Sequence, residues 1–76
     1  TNISFELPMY TDVNLTIYNL MGQSITTLVD TKMESGYHQV SWNGADVFGN
    51  QMPSGVYFYK VTTDNSTKTN KMLLLK

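Results

Sequence analysis

Val13-Asn14-Leu15-Thr16-Ile17-Tyr18 alternates apolar and polar side chains without a break. Successive side chains of an extended chain point to opposite faces, so Val13, Leu15 and Ile17 share one face and Asn14, Thr16 and Tyr18 the other. This period of two reads as a strand with one buried face, running from Val13 to Leu20. Gly22 then marks a short connection, Met21 to Ser24, before the apolar run Ile25 to Val29. Two such runs joined by so few residues predict an antiparallel hairpin.

The same period recurs on both sides of the hairpin. Ile3, Phe5 and Leu7 fall on one face of a strand from Ile3 to Leu7, which Pro8 ends by withholding a backbone donor. Asp30 to Gly36 is polar and reads as a loop. Tyr37 to Trp42 forms a fourth strand, with His38, Val40 and Trp42 on one face and Trp42 as core anchor. Gly44, Gly49 and Pro53 exclude a long element between Asn43 and Gly55, leaving room for a short edge strand at Gln51 and Met52.

Val56 to Thr63 is apolar on both faces at its start, with Tyr57, Tyr59 and Val61 opposed to Val56 and Phe58. Such a strand is expected at the centre of a sheet, covered on both sides. Asp64, Asn65 and Ser66 supply a turn, and Thr67 to Lys76 is the last strand. The whole reads as an all-β antiparallel β-sandwich of six to seven short strands, one domain over residues 1–76.

A chain of 76 residues buries only about 60% of its unfolded surface, so the core is small. Without cysteine, neither a disulfide nor a thiolate zinc site can staple it. A net charge of −1 and a charged fraction of 14% argue against nucleic acid and against a polybasic membrane anchor. No stretch approaches the roughly 18 apolar residues of a membrane span, and the N-terminus lacks a signal-peptide pattern. Thr1 stands where Met would begin a complete chain, so the expectation is a C-terminal piece of a larger protein.

Chemistry-bearing residues are sparse. His38 is the only histidine, and the six carboxylates, from Glu6 to Asp64, are dispersed. His38 and Ser41, three apart on one strand, face opposite sides and cannot act as base and nucleophile. Asn43, Gly44, Ala45, Asp46 and Asn50 offer oxygen ligands but lack the spacing of a calcium loop, and read as turn formers. Tyr57, Phe58 and Tyr59 would need an adjacent cationic groove to stack bases, and five lysines do not make one, so they read as core. The expectation is a non-enzyme with no cofactor, no metal and no small-molecule substrate.

Longer motifs are more specific. Phe5-Glu6-Leu7-Pro8 is followed by Val13, Leu15, Ile17, Tyr18 and Asn19, then by Gly22-Gln23 and Thr27-Leu28-Val29. Gly36, His38, Val40, Trp42, Asn43 and Gly44 lead to Asp46 and Gly49, then to Pro53-Ser54-Gly55-Val56-Tyr57-Phe58-Tyr59 and Lys71 to Lys76. Over essentially its whole length the chain resembles the type A C-terminal sorting domain of the type IX (Por) secretion system, an immunoglobulin-like β-sandwich. Asn43 and Asn70 stand where that family often has Asp and Lys, and its Tyr-Pro-Asn-Pro-Phe lead-in is absent.

The resemblance implies a secretion signal that carries a cargo from the periplasm of a Gram-negative, Bacteroidetes-type bacterium to the cell surface or medium. Its implied partners are the outer-membrane translocon, a sortase-like surface protease and the N-terminal passenger domain of the parent protein. The implied recognition residues are Lys71, Met72, Leu73, Leu74, Leu75 and Lys76 with Gly55, Val56 and Tyr57. Strand parity puts Met72 and Leu74 on one face and Leu73 and Leu75 on the other, so one pair should hold the fold and the other be free for contact. The last strand is also expected to offer an edge for strand addition or dimerisation.

An alternative is the immunoglobulin-like module of the flagellar hook-capping protein, a structural assembly domain that shares the Gly-Gln turn, the Trp-Asn-Gly loop and the Gly-Val-Tyr strand. A carbohydrate-binding sandwich would instead display exposed aromatics on one face, with Tyr18 and Tyr37 as its candidates.

Overall fold

A computed structural model describes residues 1–75. They form six strands: β1 (Asn2–Leu7), β2 (Thr11–Tyr18), β3 (Ser24–Met33), β4 (Gly36–Ser41), β5 (Gly55–Thr63) and β6 (Thr67–Leu74). β1 pairs with β4 in one sheet, and the order β3-β2-β5-β6 makes the other, every pairing antiparallel. The all-β sandwich expected from the period of two is the observed architecture.

Register explains where the core sits. β2 sets Leu15 against Val61 and Ile17 against Tyr59 of β5, and β5 sets Tyr57 against Met72 of β6. Cross-strand partners share a face, so these side chains form one apolar layer. Ile3 and Leu7 of β1 close on it from the smaller sheet, with Trp42 at one end. Trp42 is 1% exposed; its Nε1–H donates to the Ala45 carbonyl at 2.9 Å, and its ring meets Tyr57 edge-on at 5.1 Å. The Tyr57 hydroxyl donates to the Pro53 carbonyl at 2.7 Å, so both aromatics bury their rings and satisfy their polar ends.

Several boundaries differ from the sequence reading. β3 continues through Asp30 to Met33, which read as loop, because a polar edge strand needs apolar residues on one face only and its backbone still pairs with Thr11 to Asn14. β2 stops at Tyr18, because Asn19 folds the chain into the turn. The β1–β4 ladder runs on past β4, with Thr1 and Trp42 exchanging backbone bonds at 2.8 and 3.2 Å. Gln51 forms a single bridge with Ala45 rather than a strand with Met52. β6 ends at Leu74, and the expected continuation to Lys76 falls partly outside the described residues.

β5 is central in its sheet, as expected, yet covered on one face only. Ile3 and Leu7 of β1, with Trp42, cluster with Tyr57 and Val61 on the inner face, leaving Val56 and Phe58 half-buried on the outside. Pairing within a sheet and coverage by another sheet are separate matters, and an apolar sequence reports only the demand for both.

Candidate recognition surface

β5 and β6 together divide the expected recognition residues in two. Their register is Gly55 with Leu74, Val56 with Leu73, Tyr57 with Met72 and Phe58 with Lys71. Tyr57 and Leu74 are buried at 5% and 4%, and Met72 packs half-buried against the same cluster, so this set belongs to the core. Val56, Leu73 and Lys71 face outward, Leu73 being 54% exposed. Leu75, just past the strand, is also exposed, and Lys76 lies outside the described residues.

Gly55 opens β5 opposite Leu74. At the other flank of Leu74, Gly44 holds φ +83°, and a Cβ built there would stand 3.3 Å from the Leu74 Cδ1. Glycine is required at Gly44 both by its backbone and by the leucine packed on it.

The outward row is wider than the sequence suggested. Tyr18 stands opposite Phe58 across β2 and β5, so it joins Val56, Leu73 and Lys71 on the same face. The Lys60 Nζ lies 5.9 Å from the centre of the Tyr18 ring. Phe58, read as core, and Leu20, read as strand, both border a shallow depression of about 260 Å³ beside Tyr18. The missed signal was pairing: Phe58 shares a face with Val56, and that face is outside once Tyr57 is inside.

A built turn displays the rim of this surface. The Asn19 Oδ1 accepts from the Met21 and Gln23 N–H groups at 2.9 and 3.0 Å, and its Nδ2 donates to the Gln23 side chain at 2.8 Å. Gly22 completes the turn at φ +81°, leaving Leu20 and Met21 exposed. Asn19 thereby converts a flexible connection into a fixed apolar edge.

The loop after Trp42 is held by Asp46. Its Oδ1 accepts from the Phe48 and Asn50 N–H groups at 2.9 and 2.8 Å, while Asn43 Oδ1 accepts from the Ala45 N–H at 3.0 Å. The Asn50 N–H is the main reason that the Asp46 carboxyl lies below its ordinary value. These Asx side chains act as turn formers, as the sequence reading has it, and among the described residues no group of three or more His, Asp or Glu could hold a metal. His38 stacks on Phe5 at 5.5 Å between ring centres, with Nε2 2.7 Å from the Glu34 carbonyl oxygen. Tyr18 and Tyr37 lie on different sheets and share no face.

The model of the FlgD Ig-like domain matches residues 1–67. The chain belongs to that family. A crystal structure of FlgD from P. aeruginosa superposes with a TM-score of 0.77 at 26% identity, covering 96% of this chain and 58% of that one. The chain therefore spans under two thirds of the length of that FlgD structure. No curated protein matches the chain. Membership in the FlgD Ig-like family and the superposition establish an immunoglobulin-like β-sandwich. The match ends at residue 67, so Lys71, Leu73 and Leu75 of the outward row lie beyond it.

Proposed function

We propose that this domain is a non-catalytic assembly module of the flagellar hook-capping type, carried within a longer protein and docking a protein partner on the outer face of its four-stranded sheet. The family match over residues 1–67 carries the reading. It is supported by the contiguous outward row of half-buried Tyr18, Val56 and Phe58 with the exposed Leu73. The test is a Phe58→Ser, Leu73→Ser variant of the parent protein, scored for incorporation into its assembly. Incorporation at the parental level, with the fold intact, would exclude this face.

A second reading, a type IX sorting signal, is favoured by one observation. Beyond the family match, which ends at residue 67, β6 continues to Leu74 with its alternate residues Lys71 and Leu73 facing solvent and Leu75 exposed just past it. In this reading the translocon and a sortase-like protease are the partners, and the cargo reaches the cell surface through the periplasm. A fusion to a periplasmic reporter in a type IX-competent host tests it through Leu73→Ser, Leu75→Ser, which spares the buried Leu74. Undiminished export of that variant rules out the exposed pair as the signal, and absence of export of the unmodified fusion rules out sorting altogether.

A further inference from the structure

The smaller sheet has two strands where the sheet beneath it has four, and the deficit lies beside β1. Thr1 and Trp42 exchange both backbone hydrogen bonds, and such pairs recur at every second residue of an antiparallel ladder. Register then makes Ile3–Val40, Phe5–His38 and Leu7–Gly36 the exchanging pairs. The N–H and C=O groups of Asn2, Ser4 and Glu6 consequently point away from β4, along the free edge of β1.

That edge opens onto a groove of about 470 Å³ between the sheets. Phe5 and Leu7 form one wall, Tyr59 and Val61 the floor, and Lys68 and Asn70 the far side. Lys68 and Asn70 stand opposite Val61 and Tyr59, on the inward face of β6, yet both are exposed because no strand lies over them. A strand placed beside β1 would cover them.

We infer that the β1 edge receives an extended segment of a partner protein, added antiparallel, with apolar side chains at alternate positions on Phe5 and Tyr59 and a carboxylate reaching Lys68. Main-chain bonds to Ser4 and Glu6 would supply affinity, and the inward side chains specificity. Charge argues for a partner rather than a second copy. Among the described residues the edge strands are β1, β3, β4 and β6, and none carries an acidic residue on its inward face: Glu6 lies opposite Tyr37, and Asp30 opposite Asn14, both outward. The outer edge of β6 is less suited, since Lys68 and Lys71 guard it against pairing. At the β3 edge, the Ile25 carbonyl already accepts from the Val47 N–H at 3.1 Å.

The probe is a seven-residue peptide in which threonine alternates with valine, valine and glutamate, compared with the same peptide carrying lysine for glutamate. Titrated into the whole chain, the glutamate peptide should shift amide resonances of β1 and of Tyr59 to Val61, and slow amide exchange at Ser4 and Glu6. Lys68→Glu should reverse the preference between the peptides, by about five-fold each way. Ser4→Pro removes a donor that β4 does not use, so it should abolish binding while the Trp42 fluorescence of the fold persists. Should that variant unfold, the exposed Lys68 exchange decides alone. Equal binding of the two peptides, shifts confined to β3 or β6, or no shifts at millimolar peptide would overturn the inference. So would a dimer in sedimentation whose interface maps to β1, since the occupant would then be a second copy.

Discussion

Leu74 is 4% exposed beneath the Trp42 loop, whereas Leu73, one residue earlier, is 54% exposed on the opposite face. Truncating a buried leucine removes transfer energy and leaves a cavity, about 2–5 kcal/mol together, while an exposed change usually stays within about 0.5 kcal/mol. Leu74→Ala should therefore lower the urea midpoint strongly and Leu73→Ser barely; similar midpoints would refute the assigned parity. Asp46 makes a prediction in pH. Its carboxyl is lowered relative to the ordinary 3.8, chiefly by the Asn50 N–H, so its stabilisation is complete above that value and fades as pH falls through the lowered one. Asp46→Asn should then be less stable than the parent at neutral pH, with the gap narrowing as pH falls below the ordinary 3.8 and through the lowered value. A gap that is independent of pH in thermal melts would show that the charge is not what orders the loop.

At the scale of elements, the β2–β3 hairpin depends on one side chain. Asn19→Ala strands the Met21 and Gln23 N–H groups without their acceptor, a cost of about 1 kcal/mol. Faster amide exchange at Met21 and Gln23, with β1 and β4 unaffected, is the expected result. Exchange raised equally everywhere would mean that the turn does not open locally. The strands themselves were legible where one face is apolar: Val13, Leu15 and Ile17 of β2, and Ile3 and Leu7 of β1, lie inward as their alternation requires. Asp30 to Lys32 were not legible, because edge pairing leaves little apolar trace. They form strand through backbone bonds to β2, with the exposed Lys32–Asp12 pair at 3.2 Å across it. The candidate surface was half legible. Leu73 and Val56 could be placed by parity, but Phe58 and Tyr18 join them only through the register of β2 on β5. No periodicity within one strand encodes that register. The groove beside β1 was hidden for a similar reason, since it follows from how many strands each sheet contains.

For the whole molecule, the closing contacts of the core come from opposite ends of the sequence. Thr1 bonds to Trp42, Gly44 just beyond Trp42 packs on Leu74, and Leu74 clusters with Ile3 and Tyr57. Such long-range closure must offset its loop entropy, and a domain this small has few other contacts with which to do so. A variant ending after residue 67 would lose all of β6 past its first residue, and with it the backbone partners of β5, the buried Leu74 and the Met72 opposite Tyr57. Burial of one leucine contributes about 1.5–3 kcal/mol, against a total stability at the low end of about 5–15 kcal/mol. The truncated chain should therefore lack the near-ultraviolet circular dichroism of a packed Trp42, and a synthetic peptide of residues 67–76 should restore it by pairing with β5. A truncated chain that keeps this signal unaided would show that β6 is appended to the fold rather than part of its core. That outcome bears on function, because loss of docking or export on deleting the terminus reports recognition only if the fold survives. With β6 integral to the core, the Leu73 and Leu75 exchanges separate recognition from folding and the deletion cannot.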